Sequence, residues 1–301
     1  MQPDILLTLS AGSFRPLLAA KHARCPSIFK LPEFVATDLR LRGLSLPADM
    51  LAGFGLKDIE KLRDEADRAQ CPVLLLSEEP AFDFTETGEA FAKSIDRIGR
   101  LGLAANKLGC PSIAVRAAAA DTDEAFEKTA LGVKKALRAI DRYELVLLLA
   151  PHDGLTEQPA RLTELIKKIG GFRIGSYPSF AHAAASGSLE QTLRKLAPYA
   201  PAIAASIRGF TKDGAHEGFS LEVCVESIRS VGYSNMLALD YVGLAAGDDA
   251  KPTKKKTSKK ASADAAPGAD IDVDALVAVL DRARTVLEAA DAALVPEDEE
   301  E

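Results

Sequence analysis

The sequence has no tryptophan, and its aromatic content is only 6%. A surface that grips single-stranded nucleic acid needs aromatic platforms beside its cations, and the one lysine-rich stretch, residues 245–270, contains none. Excess positive charge is missing as well. With 37 Lys and Arg against 44 Asp and Glu the formal charge is −7, which argues against general polyanion binding. Apolar runs are short, none nearing the roughly 18 residues of a membrane span. Met1-Gln2-Pro3-Asp4 lacks the basic start of a secretory signal. The expectation is a cytoplasmic protein that engages neither membrane nor nucleic acid.

Cysteine is scarce, with four residues in 301 and no CxxC pair. That excludes a disulfide framework and the usual zinc ribbons. Cys25, Cys71 and Cys110 each stand directly before a proline, and the expectation for them is buried or rim thiols without chemistry. Nucleophile and nucleotide motifs are absent too. There is no GxSxG and no P-loop, and Gly53-Phe54-Gly55 lacks the third glycine of a dinucleotide fingerprint.

What the chain does contain is a repeated alternation of short apolar runs with amphipathic stretches. The run Tyr143 to Gly154 (YELVLLLAPHDG) is apolar on both faces, as a strand flanked by helices on either side must be. Similar strands are expected at Ile5–Leu9, Leu39–Leu46, Val73–Ser77, Ser112–Arg116, Phe172–Tyr177, Ile203–Ile207 and Met236–Asp240. Helical spacing between them is expected over 14–22, 56–69, 86–108, 122–140, 158–168, 189–196, 221–231 and 273–292, with a looser segment around Pro26, Pro32 and Phe34. Eight strands alternating with eight helices predict an α/β fold, a closed (β/α)8 TIM barrel in a single domain, with an open doubly wound sheet as the alternative that the same count allows.

Residues 1–244 supply the barrel up to its eighth strand, and 271–294 its final helix. Between them, 245–270 (AAGDDAKPTKKKTSKKASADAAPGAD) has no apolar period. Such a composition buries too little surface to offset the entropy of ordering, so a disordered insertion is expected. Residues 295–301 read as an acidic tail.

Several phrases resemble the xylose isomerase-like superfamily of barrels, the sugar phosphate isomerases and epimerases. They are His152-Asp153-Gly154, the run IGSYPS near the sixth strand, LEQTLRKLAPYAPAIAASIRGF, and GFSLEVCVESIRSVGYSNMLALDY. The resemblance implies a divalent metal held by carboxylates and a histidine at the tips of strands five to eight, with two glutamates moving a proton on a sugar. The matching positions here hold Ala150, Tyr177, Ser206 and Asp240. One carboxylate cannot replace the hydration shell of a divalent ion, so neither metal nor other cofactor is expected.

The polar residues that remain near the strand tips are the candidate site. Asp240 and His152 are the candidates for a metal-free proton transfer. Glu78, Arg116, Tyr177 and Arg208 are candidates for ligand contact, the two arginines favouring an anionic group. An ion pair between Arg208 and Asp240 is an equally weighted reading, and His182 and His216 read as surface or loop residues. The expected partner is a carbohydrate-like or anionic small molecule, bound with no catalysis or metal-free catalysis. Two alternatives stand beside it. One is an active metal-dependent isomerase or epimerase with relocated ligands drawn from Glu78, His152, His182, His216 and Asp240. The other is a non-catalytic scaffold using the lysine-rich insertion.

Overall fold

A computed structural model describes residues 4–243 and 272–294. Along the chain run β1 (Leu6–Ser10), α1 (Arg15–Ala19), α2 (Leu31–Asp38), β2 (Leu44–Pro47), α3 (Leu56–Arg68), β3 (Val73–Ser77), α4 (Gly88–Leu108), β4 (Ser112–Arg116) and α5 (Asp123–Ala139). There follow β5 (Val146–Ala150), α6 (Pro159–Ile169), β6 (Ile174–Ser176), α7 (Phe180–Ala185), α8 (Leu189–Leu196), β7 (Ala202–Ile207), α9 (Leu221–Arg229), β8 (Met236–Tyr241) and α10 (Val273–Ala292). The eight strands form one parallel sheet in the order β6-β5-β4-β3-β2-β1-β8-β7. Its two edges meet where the Ala204 N–H donates to the Pro178 carbonyl at 2.9 Å, which curls the sheet into the expected (β/α)8 barrel.

The period-2 alternation of each strand divides the barrel's wall from its interior. Outward-facing Leu9, Leu44, Leu147, Leu149, Ile203, Ile207, Leu237 and Leu239 pack against the helices in one large core. Inward-facing Leu75, Ala114, Leu148, Ala202, Met236 and Ala238 form a separate small cluster inside the barrel. Leucine and methionine plug the lower interior. The alanines beside them occupy less volume, and that leaves room above.

The sequence expectations fail locally in the first quarter of the chain. Residues 31–38 form a helix where a loose segment is expected, with Pro32 in the first turn, where its missing N–H costs nothing. The strand expected over 39–46 shrinks to Leu44–Pro47, because Arg40 adopts φ 56° and turns the chain out of extended geometry. The expected helix 14–22 is a short helix over Arg15–Ala19 preceded by a 3-10 turn at Ala11–Phe14. Strand six keeps only Ile174–Ser176, because the chain still bends over residues 171–173. At α4 the expectation holds, and Gly109 at φ 81° supplies the left-handed stop.

All four cysteines are free and buried, in line with the inert reading. Burial pushes the Cys25 thiol up to about 11 and the Cys71 thiol up to about 12, so thiolate is negligible at neutral pH. Residues 245–270 and 295–301 lie outside the described residues. Among the described helices none is long and apolar enough to cross a membrane.

Candidate functional site

Parallel register brings the last residues of the strands into one layer. Ser10 pairs with Ser45, Pro47 with Ser77, Arg116 with Ala150, and Ser206 with Asp240. These tips and the loops beyond them enclose a cavity of about 350 Å³ at the carboxyl-terminal end of the barrel, which lies within the usual range for small-molecule sites. The four positions that the resemblance assigned to metal ligands, Ala150, Tyr177, Ser206 and Asp240, all line it.

Of the candidate residues, Glu78, Arg116, Tyr177 and Asp240 line the cavity, whereas His152 and Arg208 do not. His152 is half-buried in the loop after β5, its backbone N–H donating to Thr156 Oγ1 at 3.1 Å. The Arg208 side chain is exposed and its guanidinium lies 6.0 Å from the Phe219 ring. No ion pair joins Arg208 to Asp240, so the two adjacent tips do not neutralise each other.

The remaining charges at the mouth are tied in pairs. Arg116 Nη1 donates to the Glu79 carboxylate at 2.8 Å and to the Glu79 carbonyl at 3.0 Å. Glu78 is buried and receives two bonds from Arg97 on α4, at 2.8 and 2.5 Å. Arg15, at the start of α1, grips Asp49 with both terminal nitrogens, one of them at 2.7 Å. A guanidinium held bidentately has few donors to spare. Arg116 uses only Nη1 on Glu79 and lines the cavity, whereas Arg208 stands outside the lining, so of the two groups that favoured an anionic ligand only Arg116 faces the cavity.

Asp240 differs from these. Its carboxyl is held above the ordinary carboxylate range, first by burial and further by nearby Glu79, while the Ser10 hydroxyl, Arg116 and Arg15 pull it back. Among the described residues it forms no ion pair. Tyr177 is pushed well above the usual phenol range by the same burial and by Asp240, and its hydroxyl bonds to Ser45.

A folded-state pKa above the unfolded value makes ionised Asp240 a cost to the fold. Below the ordinary carboxylate pKa both states are protonated and the cost is zero; as pH rises through the window up to the elevated folded value, stability falls, and the loss then stays constant. Asp240→Asn should therefore raise the melting temperature at pH 7 and leave it unchanged near pH 3. A melting temperature at pH 7 that drops on this substitution contradicts the assignment.

The two histidines expected in surface or loop positions, and pooled as relocated ligands, separate cleanly. His216 accepts a bond at Nε2 from the Arg208 N–H at 3.0 Å, and its Nδ1–H donates to the Phe219 carbonyl at 2.9 Å. Burial lowers its pKa, and this neutral, satisfied ring braces the loop after β7. His182, on α7, lines the cavity. Its Nε2 lies 3.2 Å from the Glu157 carbonyl and so carries the proton, and burial again favours the neutral form. Sequence reasoning also missed Ser10 and Arg15. The signal for both was their place just beyond β1, a position equivalent to the other strand tips.

The metal implied by the resemblance does not fit the residues present. Ala150 has no donor atom, and of the other three matched positions only Asp240 is a carboxylate. Nor do the pooled alternatives converge: Glu78 is bound to Arg97, His216 is satisfied in its loop, and His152 lies outside the lining. Among the described residues no group of three or more His, Cys, Asp or Glu side chains could hold a metal ion.

No family model and no curated protein matches the sequence. Solved structures do match in shape. A D-psicose 3-epimerase with D-tagatose from Clostridium cellulolyticum H10 superposes with a TM-score of 0.71 at 12% identity, covering 96% of this chain and 99% of that one. A xylose isomerase domain containing protein from Salmonella typhimurium gives 0.66 at 12% identity, with 95% and 98% covered. An L-ribulose 3-epimerase gives 0.65 at 14% identity, with 88% and 91% covered. Identity this low carries the fold and not the activity. By its backbone, then, the chain shares the fold of the xylose isomerase-like sugar isomerases and epimerases.

Proposed function

We propose that this barrel binds a sugar-like small molecule in the cavity at its carboxyl-terminal end, without the metal-assisted proton shuttle that the resemblance implies. The observation that carries the reading is the donor set around that cavity. Four matched tips offer one carboxylate, a buried phenol, one hydroxyl and one methyl group, arranged around a space of about 350 Å³. A single carboxylate leaves most of a divalent ion's coordination to water, and affinity then falls far below that of a built site. Hydroxyls on Ser10, Ser77, Ser206 and Tyr241 can both donate to and accept from a polyhydroxylated ligand.

Any proton transfer in the cavity is metal-free under this reading, with Asp240 as the carboxylate on the wall. His182, rather than His152, is the imidazole on the same wall.

Elemental analysis of protein purified without chelator should find Mn, Mg and Zn each well below one ion per chain. Near-stoichiometric metal overturns the reading in favour of relocated ligands. Melting in the presence of millimolar monosaccharides supplies the second arm. A ligand that binds only the folded chain adds about 2.7 kcal/mol at a hundred times its Kd, a shift of several degrees, and at least one sugar should produce it.

A further inference from the structure

The charges around the cavity do not balance. Five Arg, Asp and Glu side chains line it: Arg15, Arg116, Glu78, Glu79 and Asp240. Four are neutralised within the protein, Arg15 by Asp49, Arg116 by Glu79 and Glu78 by Arg97. Asp240 is left over. Arg15 is bound to the Asp49 carboxylate through two contacts, and Arg116 to the carboxylate and the backbone carbonyl of Glu79, so neither reaches Asp240 without abandoning a carboxylate it already pairs with. The imidazole in the wall is no substitute, because His182 spends its Nε2–H on the Glu157 carbonyl and its burial opposes a second proton.

The surroundings of Asp240 sharpen the imbalance. Ser10 is its hydrogen-bonding hydroxyl, and its register partner Ser206 is engaged by the Ala181 N–H at 3.2 Å. Ala150, Ala181 and Ala204 make up nearby lining and offer neither charge nor hydrogen bond from their side chains. A partly buried carboxylate in such a setting attracts a cation more strongly than one in open water.

We propose that the ligand itself brings the missing positive charge: a small polyhydroxylated amine, such as an amino sugar, whose ammonium pairs with Asp240 while its hydroxyls meet the ring of serines. The inference rests on the reading of this cavity as a sugar-like site and narrows it to one chemical class. An ammonium suits the place better than a guanidinium, since one carboxylate facing a compact space matches a point charge with rotatable donors. Phosphorylated or carboxylated sugars are disfavoured by the same arithmetic, for they would add a second negative charge beside Asp240.

The test is calorimetric titration of the full chain at pH 7 and low salt with matched probes: D-glucose, D-glucosamine and D-glucose 6-phosphate, then D-fructose, 1-amino-1-deoxy-D-fructose and D-fructose 6-phosphate. In at least one set the amine should bind on the order of tenfold tighter than its neutral parent, the scale of one partly screened ion pair, and the phosphate should bind most weakly. The formal charge of −7 attracts cations over the whole surface, so the deciding arm is Asp240→Asn. It should erase the amine's advantage over its neutral parent, and Asp240→Ala serves as a second neutral variant. Neutral sugars binding as tightly as amines, or a preference that survives both variants, overturns the inference while the sugar-site reading stands. If no probe of any charge binds, both fall together.

Discussion

Replacing Asp291 with alanine should lower the melting temperature by on the order of 10 °C, from a loss of about 3–5 kcal/mol. Asp291 on α10 accepts two bonds from the Arg229 guanidinium on α9, one of them at 2.7 Å, and a third from the Ile5 backbone N–H at 3.0 Å. Both side chains are nearly shut off from solvent, at 4% and 10% exposure. Removing the carboxylate takes two bonds from a buried guanidinium, which keeps its bond to the Tyr233 carbonyl at 3.1 Å, and leaves the Ile5 amide without this acceptor. The physical consequence is specific. This contact fastens the final helix, which follows the lysine-rich segment, to the start of the first strand. Chemical denaturation of Asp291→Ala beside Asp291→Asn measures it, because the amide keeps an acceptor for Ile5 and should recover part of the loss. A midpoint for the alanine variant within about 1 kcal/mol of the parent would place the pair with ordinary surface ion pairs.

The second large effect concerns the seam of the barrel. Gly175 faces inward on β6, and a Cβ built there would lie 2.5 Å from the Tyr199 carbonyl oxygen and 3.1 Å from Leu148 Cδ2. The first of these contacts is backbone and cannot rotate away. Gly175→Ala should therefore cost about 1–3 kcal/mol and Gly175→Val more, by forcing β6 away from the chain that enters β7. Because Tyr177, two residues on, lines the cavity, the same displacement should weaken ligand binding. Hydrogen exchange supplies the direct reading: the Ala204 amide, bonded to Pro178 across the seam, should exchange faster in Gly175→Val while amides of β3 and β4 do not. Equal protection in parent and variant would mean that the seam has another fastening.

Much of this fold could be read from the chain because the strands of a parallel barrel are apolar on both faces and their signals do not depend on what they pair with. VLLLS at 73–77, SIAVR at 112–116 and VLLLA at 146–150 sit where the runs place them. Residues 31–46 escaped that logic. LRLRGLSL imitates the alternation of a half-exposed strand, but Leu39 and Leu41 are buried beside α2 and Arg40 turns the backbone between them. Alternation reports that side chains face opposite ways; it does not say that the chain is extended.

For the site, the order of residues was enough to place Glu78, Arg116, Tyr177 and Asp240 near strand ends, and all four reach the cavity. It could not tell Arg116 from Arg208. One ends its strand pointing inward and is held by Glu79; the other comes one residue after β7 ends and its guanidinium lies over Phe219. Alternation alone would turn both inward, two residues beyond Ala114 and Ser206, but Arg116 is still within β4 while β7 ends at Ile207, so strand length, set by pairing with neighbours, decides which tip residue belongs to the site. His182 was misjudged for a related reason. Its helix approaches the mouth only because Ser179 caps it and the Pro178 carbonyl is fixed across the seam to β7.

The amino-acid sequence alone determined that the chain would build a parallel barrel, that its thiols would be inert, and that the matched strand tips would carry a single carboxylate, since each of these follows from residue type and local spacing. Only the tertiary structure decided which charges cancel. Asp49, Glu79 and Arg97 neutralise Arg15, Arg116 and Glu78 from 34, 37 and 19 residues away, and Coulomb attraction depends on distance through space. No reading of the chain in order could show that, among the acidic and basic side chains lining the cavity, Asp240 would be the one without an ion pair.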